Sequence, residues 1–381
     1  MMSLKTKVIV VHNIIAPYRV PLFNRIALQK DIDCEVIFCA ETEKDHRWSI
    51  PDDMHFKYRV IPGFHLLRRN GAIYINPQLL GYLIRSNPDV VVTGEFSVPS
   101  VIVMLYCRLY NKKYVLWSDA TARSESRVGP LKRGVRKQLL GMSSACIASG
   151  TEACEYLMSL GADSGKVKQS ILTLDVERFS RECEAFVGRK RQLKKHLGLA
   201  ERVVLYSGRL VAQKGLIHLI EAYSIVRRWK EKISLLLLGN GRLELQLRTY
   251  CFSNKLDVIF AGFVQQRELP KYYALADVFV FPSLCDSWGV VVNEALAAGL
   301  PIVCSKYAGA AADLVEDGQN GYVVDPRNIE ILAEKIRNIL DDNRRRFKMG
   351  RKSKEMMKLC TIERASSGFM SAITYVLSST N

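Results

Sequence analysis

The sequence predicts an α/β fold built from two doubly wound domains, and three observations carry that prediction. The chain has 381 residues, well beyond the usual domain length of about 100–200 residues. Short β-branched runs alternate with longer segments of helical period, and runs such as "DVVVT" are apolar without alternation. Such runs suit parallel strands covered by helices on both faces. Near the middle, a polar stretch over residues 177–198, "ERFSRECEAFVGRKRQLKKHLG", interrupts the alternation.

Taken in order, the first half reads as strand 7–12, helix 21–29, strand 34–39, helix 77–86, strand 90–93 and helix 101–110. Strand 114–117, a basic helix over 131–140 and strand 145–148 follow. The strands are rich in Val, Ile and Tyr, whereas the helical segments carry their apolar residues three and four apart. The stretch 177–198 lacks a buried strand and is read as a linker and a first outer helix. The alternation then resumes with strand 203–207, helix 215–228, strand 233–238, helix 243–251, strand 258–261 and helix 269–275. Strand 278–281, helix 290–298, strand 301–304 and a closing helix near 329–340 complete it. The expected domains are residues 1–180 and 190–345, with a helical segment over 346–381 packing back toward the N-terminal domain. In this architecture ligands bind outside the carboxyl ends of the strands, in a cleft between the domains.

A 48% hydrophobic and 24% charged composition excludes a disordered or collagen-like chain. Fifty-five Lys and Arg oppose 38 Asp and Glu, a formal charge of +17, and the excess is shared by both halves rather than held in a tail. Nucleic acid, an anionic membrane surface or a phosphorylated substrate are the candidate partners. The ten cysteines form no CxxC pair or metal-spaced cluster. Those in apolar runs, including Cys34, Cys39, Cys146 and Cys304, read as buried free thiols of a reducing compartment. The opening "MMSLKTKVIVVHN" leads straight into a strand. The longest apolar run, over 98–107, is about half of the roughly 20 residues a spanning helix needs. A cytoplasmic chain without a transmembrane anchor is expected.

Two segments bear chemistry. In "LYSGRLVAQKGLIHLIEAY" an apolar strand ends at Ser207-Gly208, and Arg209 and Lys214 fill the loop before a helix. A glycine lets backbone approach a ligand, and two cations at a helix N-terminus suit a diphosphate, although a solvated basic loop would read the same way. In "FPSLCDSWGVVVNEALAAGLPIV", Asp286 lies in the loop and Glu294 in the first turns of the next helix. Gly289 and the amides after it form an anion site by geometry and dipole. Carboxylates beside an anion site suit a ligand with both phosphates and hydroxyls, such as a nucleotide sugar. The competing reading makes Asp286 a helix cap and Glu294 an exposed helix acid.

"SGRLVAQKG", "LLLLGNG", "VIFAGFVQQRELPKYYALADVFVFPS", "DSWGVVVNEALAAGLPIV" and "EDGQNGYVVDP" occur in this order over roughly residues 200–340. Together they resemble the donor-binding half of family 4 glycosyltransferases with the GT-B fold, two Rossmann-like domains facing a central cleft. The N-terminal half is similar more loosely, through "NIIAPYRVPLFNRIA" and "SGTEACEYLMSLGA". The resemblance implies retaining transfer from a nucleotide-diphosphate sugar to a saccharide acceptor, free or lipid-linked, in polysaccharide or glycoconjugate biosynthesis, without a bound metal or other cofactor. It implies an acceptor-binding first domain and a donor-binding second one. Gly208, Arg209 and Lys214 would meet the donor diphosphate, and Glu294 the ribose hydroxyls. The amides of Trp288, Gly289, Val290 and Val291 would meet the distal phosphate or the sugar, and Val264 and Leu269 the base. Asp286, Arg209 and Lys214 are the catalytic candidates.

Asp286 stands where the family more often has the first Glu of an E-x7-E pair. The chain also has "NIIAPYR" where many relatives have a Gly-Gly loop, and "WSDATARSES" where many present a His. The acceptor-side candidates are therefore His12, Tyr18, Arg19, Ser118 and Asp119.

The lone "GNG" at Gly239–Gly241 lacks the third glycine of a dinucleotide fingerprint, and "DID" at 31–33 precedes its strand, which reads as a surface turn. Around the basic helix, Arg123, Arg127, Lys132, Arg133, Arg136 and Lys137 face only Glu125, while Leu131, Val135, Leu139 and Leu140 form an apolar stripe. That pattern suits either a helix packed on its own sheet with a solvated basic face, or residues 123–137 docked on an anionic membrane. A second enzyme reading is a nonhydrolysing sugar-nucleotide epimerase. A nucleic-acid-binding α/β protein is motivated by charge alone, with no aromatic-interleaved basic motif behind it.

Overall fold

A computed structural model describes residues 5–42, 48–68, 71–126, 128–229 and 232–378. The chain divides into two units, one running to Thr173 and resuming at Ile362, the other holding Leu174–Thr361.

The first unit is a seven-stranded sheet of β1 (Thr6–Ile14), β2 (Ile32–Ala40), β3 (Lys57–Val60), β6 (Val90–Gly94), β7 (Lys113–Ser118), β8 (Ala145–Ala148) and β9 (Val167–Gln169). Between β3 and β6 the strands β4 (Phe64–Arg68) and β5 (Gly71–Ile75) form a separate antiparallel hairpin. The sheet order is β3-β2-β1-β6-β7-β8-β9, and every pairing is parallel. Strand β1 shows why both faces must be covered: Val8 and Val10 enter one apolar core while Ile9 and Val11 enter the other. A side-chain period of two sends neighbours to opposite faces. Helix Ile362–Ser378 closes one of these faces with Phe369 and Ile373.

The second unit holds β10 (Arg202–Ser207), β11 (Ile233–Leu238), β12 (Val258–Gly262), β13 (Val278–Phe281), β14 (Ile302–Ser305) and β15 (Gly321–Val324). They pair in parallel in the order β12-β11-β10-β13-β14-β15. Both sheets are thus doubly wound, as the alternation predicts.

The structure moves the boundaries. Residues 177–198 are not a linker but part of the second unit, as helices Val176–Glu184 and Lys190–His196. They are held there by burial: Phe179 and Cys183 are buried, and Lys194 Nζ bonds Asp277 Oδ2 at 2.8 Å. The return to the first unit begins at Ile362 rather than at residue 346. Helix Asn343–Met357 stays on the second unit because Ser353 Oγ donates to Leu300 O at 2.8 Å and Gly350 lies against the Gly299 carbonyl. From Ile362 the chain belongs to the first unit, where Ser170 Oγ donates to Ala365 O at 2.8 Å.

Cys34, Cys39, Cys146 and Cys304 are buried and free. No helix among the described residues is long and apolar enough to cross a membrane.

Candidate active site

In the second unit the chain winds from β10 through β11 to β12 on one side, then returns to β13 and continues to β14 and β15 on the other. The loops leaving β10 and β13 therefore diverge at the carboxyl edge, the switch point where such sheets bind ligands. Both chemistry-bearing segments are these two loops.

The loops are stitched together by backbone. Leu284 N donates to Gln213 O at 2.8 Å, and Ser283 Oγ to the same carbonyl at 3.2 Å. Gly215 has φ +64°, and a Cβ there would lie 2.1 Å from Pro282 O. Only glycine permits both the left-handed backbone and that approach. The "GNG" turn has a similar explanation, since a Cβ on Gly239 would lie 2.0 Å from Gly208 O. It braces the β10 loop, and Leu210 N donates to Asn240 O at 2.8 Å.

Within this frame Arg209 is exposed and has no ion-pair partner among the described residues. Lys214 is engaged: its ammonium bonds Asp286 Oδ2 and lies 5.4 Å from the centroid of the Phe281 ring. Asp286 also accepts from Trp288 N at 3.3 Å, so it does cap the turn before the helix, but its second oxygen holds the lysine. Trp288 is buried, with its indole N–H on Asn293 Oδ1 at 2.9 Å. Gly289 has φ +97° against Phe281, and Val290 starts helix Val290–Ala297. The first N–H groups of a helix have no intrahelical partner, so Gly289, Val290 and Val291 bring free amides to the edge where Lys214 stands. Val264 and Leu269, both half-buried, follow β12 on the same edge.

Glu294 is not an exposed helix acid. It is 7% exposed and accepts from Tyr273 OH at 2.6 Å. Burial pushes its carboxyl up to about 7, and the Tyr273 hydroxyl restrains that rise. The sequence reading omitted Tyr273, and its place in "PKYYALAD" gave no signal.

The first unit has its own switch point, between β1 and β6. His12, near the end of β1, meets Phe23, Phe38 and Trp117 edge-on at ring distances of 6.0–6.4 Å. Burial, with help from Arg19, pushes its imidazole down to about 3, so it is neutral. Tyr18 stands edge-on to Trp48 at 6.2 Å. Arg19 is 5% exposed, with its guanidinium 4.3 Å from the Trp117 ring centroid. Ser118 is spent locally, its Oγ accepting from Ala120 N at 3.1 Å. Near Asp119, Glu95 follows the neighbouring strand β6, and burial, with Asp119 adding to it, pushes the Glu95 carboxyl well up.

The basic segment divides. In helix Pro130–Gly141, Leu139 and Leu140 are buried, whereas Leu131 is 84% and Val135 41% exposed, beside exposed Lys132, Arg133 and Lys137. Arg136 is not solvated: it pairs with Glu125 and lies 5.1 Å from the Phe96 ring centroid. Arg127 lies outside the described residues.

Residues 189–356 match the family described as glycosyl transferases group 1. The chain carries a group 1 glycosyltransferase domain. This domain takes in both switch-point loops, Tyr273 and Glu294. An uncharacterized glycosyltransferase of Methanocaldococcus jannaschii is 36% identical over 37% of this chain and 36% of its own length. A GDP-mannose-dependent alpha-(1-6)-phosphatidylinositol monomannoside mannosyltransferase of Mycobacterium tuberculosis is 32% identical over 48% of this chain and 49% of its own. The chain thus spans half or less of the length of these curated relatives. Among solved structures, Anabaena HepE in complex with UDP superposes with a TM-score of 0.78 at 18% identity, covering 97% of this chain and 100% of that one. Sucrose-phosphate synthase of Thermosynechococcus elongatus gives 0.76 at 16% identity, covering 99% and 100%. The group 1 glycosyltransferase domain is therefore the second of two Rossmann-like domains in a GT-B fold.

Proposed function

We propose that this chain transfers a sugar from a nucleotide-diphosphate sugar to a saccharide acceptor, as a retaining, metal-independent glycosyltransferase of the family 4 type. The observation that carries the reading is the set gathered at the β10/β13 switch point: a free Arg209, a Lys214–Asp286 pair, free helix amides and a buried Glu294. Cations and amides fit phosphate oxygens, and carboxylates fit hydroxyls.

In this reading the donor's diphosphate takes Lys214 from Asp286, and the released carboxylate accepts from a hydroxyl of the transferred sugar. Arg209 and the amides of Trp288 to Val291 hold the remaining phosphate oxygens, Glu294 accepts the ribose hydroxyls, and Val264 and Leu269 flank the base. The bond from the anomeric carbon to the phosphate oxygen breaks while the acceptor oxygen bonds that carbon on the same face. The acceptor's proton passes to the leaving phosphate. Negative charge grows on the diphosphate, and fixed donors aimed there stabilise it before the reaction begins. Arg209 and Lys214 supply the countercharge that a metal ion supplies elsewhere.

The first unit is the acceptor side in this reading, with His12, Tyr18, Arg19, Ser118 and Asp119 at its carboxyl edge. A lipid-linked acceptor is supported by the relative named for phosphatidylinositol monomannoside. The exposed Leu131 and Val135 amid Lys132, Arg133 and Lys137 suit an anionic membrane surface.

A thermal-shift panel of UDP- and GDP-sugars tests the donor site, since a ligand that favours the folded chain raises its melting temperature. At least one donor should stabilise the wild type. The Arg209→Ala/Lys214→Ala protein should lose that shift and at least about 10²–10³ in transfer rate, the typical cost of removing even one such donor. No shift across the panel, or full activity in the double variant, would falsify the assignment.

A further inference from the structure

The amino edge of the second sheet, opposite the edge that carries Arg209 and Lys214, gathers more positive charge than it neutralises. Asp277 stands just before β13 and is buried. Its Oδ2 is filled by Lys194 Nζ at 2.8 Å and by Val203 N at 3.0 Å. Two further cations stand off its Oδ1 beyond hydrogen-bonding reach, Lys190 Nζ at 3.7 Å and Arg346 Nε at 3.8 Å. Arg202 opens β10, the strand beside β13; its Nη1 lies 3.4 Å from Glu201 Oε1, and its Nη2 donates to Asn343 Oδ1 at 2.9 Å. Asn343 and Arg346 are three apart on helix Asn343–Met357, so they share a face and bring the two guanidinium groups to one place. Four cations, Lys190, Lys194, Arg202 and Arg346, thus meet two acids, Asp277 and the exposed Glu201. Asp342, at the start of the same helix, is turned to Arg345. A second observation is independent. Arg202 Nε and Arg346 Nη1 are shut from water and reach no acceptor among the described residues. A buried guanidinium with unmade hydrogen bonds is destabilising unless an acceptor completes them. The side chains of Lys190, Arg202 and Arg346 are 16–31% exposed, so a solute can reach the cluster.

We propose that Lys190, Arg202 and Arg346 form a binding site for a doubly charged tetrahedral oxyanion, a phosphate group, at the amino edge of the second unit's sheet. Charge selects the ligand class. Four cations against two carboxylates leave a surplus of two, which a phosphate dianion cancels. A metal ion would add to that surplus, and a neutral sugar would leave it unmatched. Guanidinium forks present paired N–H donors that fit the oxygens of such an anion, and the lysine adds a point charge. Lys194 is already held, by Asp277 and by Glu201 O at 2.6 Å, so it contributes charge without a contact. The site is distinct from the β10/β13 loops. Arg202 and Ser207 are the two ends of β10, roughly 16 Å apart at about 3.3 Å per residue. It does not depend on the transferase reading.

Isothermal titration of the full chain with sulfate, inorganic phosphate and glycerol 3-phosphate, in chloride buffer at constant ionic strength, tests it. At least one should bind saturably at pH 7. Arg202→Met and Arg346→Met, checked by circular dichroism for folding, should weaken that binding by about tenfold or more, the loss expected of a hydrogen bond to a charged group. Arg209→Ala/Lys214→Ala should keep it. Tighter binding of glycerol 3-phosphate than of phosphate supports a phosphomonoester ligand, and the reverse order supports the free ion. No saturable binding to wild type overturns the site without need of any variant. Equal binding to the folded arginine variants, or loss in Arg209→Ala/Lys214→Ala instead, also overturns it. Lys190 supplies a readout that a merely structural cluster would not move. Burial pushes its ammonium down to about 8, against Asp277 and with help from Lys194 and Arg346, the charged groups that face it. Such a group is about nine-tenths charged at pH 7 and about one-tenth at pH 9. Sulfate keeps its own charge over that span, so its affinity for wild type should fall by up to about tenfold, and for Lys190→Met it should stay flat. A flat profile in wild type overturns the site as assigned.

Discussion

Removing one hydroxyl from the second unit should make nucleotide binding depend on pH in a way wild type does not. Tyr273 OH lies 2.6 Å from Glu294 Oε2, and the Glu294 carboxyl is held at about 7 by burial against that hydroxyl's restraint. A hydrogen bond to a charged group contributes about 1.5–3 kcal/mol, and to a neutral group about 1 kcal/mol. The difference between charged and neutral Glu294 is therefore on the order of 1.4 kcal/mol, or one pH unit. In Tyr273→Phe the midpoint should rise by about that much. If the ionised carboxylate is the form that accepts the ribose hydroxyls, occupancy of that form at pH 7 falls from about one half to about one tenth. The nucleotide Kd should then rise about fivefold at pH 7 and hardly change near pH 9, where both proteins are ionised.

Isothermal titration of UDP and GDP between about pH 6 and 9 reads this directly. A Kd ratio between variant and wild type that stays constant across the range would refute the reasoning. It would mean that Tyr273 acts by packing alone. The sign has an independent check in stability. Glu294 binds its proton more tightly folded than unfolded, so its contribution to stability is present below the ordinary Glu value and is lost as pH rises through about 7. The variant should shift the upper end of that loss to higher pH.

Two further outcomes follow from the same structure. Gly215→Ala places a Cβ 2.1 Å from Pro282 O at a φ of +64°, so it should lower stability by more than the 1–3 kcal/mol of backbone strain alone and reduce the nucleotide thermal shift; a urea midpoint equal to wild type would contradict the close approach of the two loops. Lys132→Gln/Arg133→Gln should weaken cosedimentation with phosphatidylserine vesicles by about 30-fold, at about 1 kcal/mol per cation. Binding of wild type equally to neutral phosphatidylcholine vesicles, or to neither, rules out electrostatic docking by this helix.

Much of the second unit was legible because its strands are buried on both faces. The predicted strands 233–238 and 278–281 coincide with β11 and β13, and the predicted helix 269–275 coincides with Leu269–Leu275. The short strands β3 and β9, half-exposed or exposed along their length, have no apolar run to announce them. The candidate site residues stand out in the sequence by type and spacing, but their couplings do not. Lys214 and Asp286 are 72 residues apart, and Tyr273 and Glu294 are 21 apart. No local period records either contact.

Those couplings also alter the meaning of the charge. The sequence invited the view that Arg209 and Lys214 present two cations to a diphosphate. The structure gives one free cation and one already matched by Asp286, so the phosphate must displace a carboxylate to gain the second. A ligand entering there exchanges partners instead of meeting bare charge, which favours recognition of a particular arrangement of oxygens over attraction to any polyanion. The +17 excess therefore resides mostly elsewhere. Exposed cations cluster on helix Asn343–Met357, at Arg344, Arg345, Lys348 and Arg351, and on helix Pro130–Gly141, where exposed Leu131 and Val135 beside them suit the surface with both charge and an apolar interior proposed above. A membrane has both, and duplex nucleic acid has only the first.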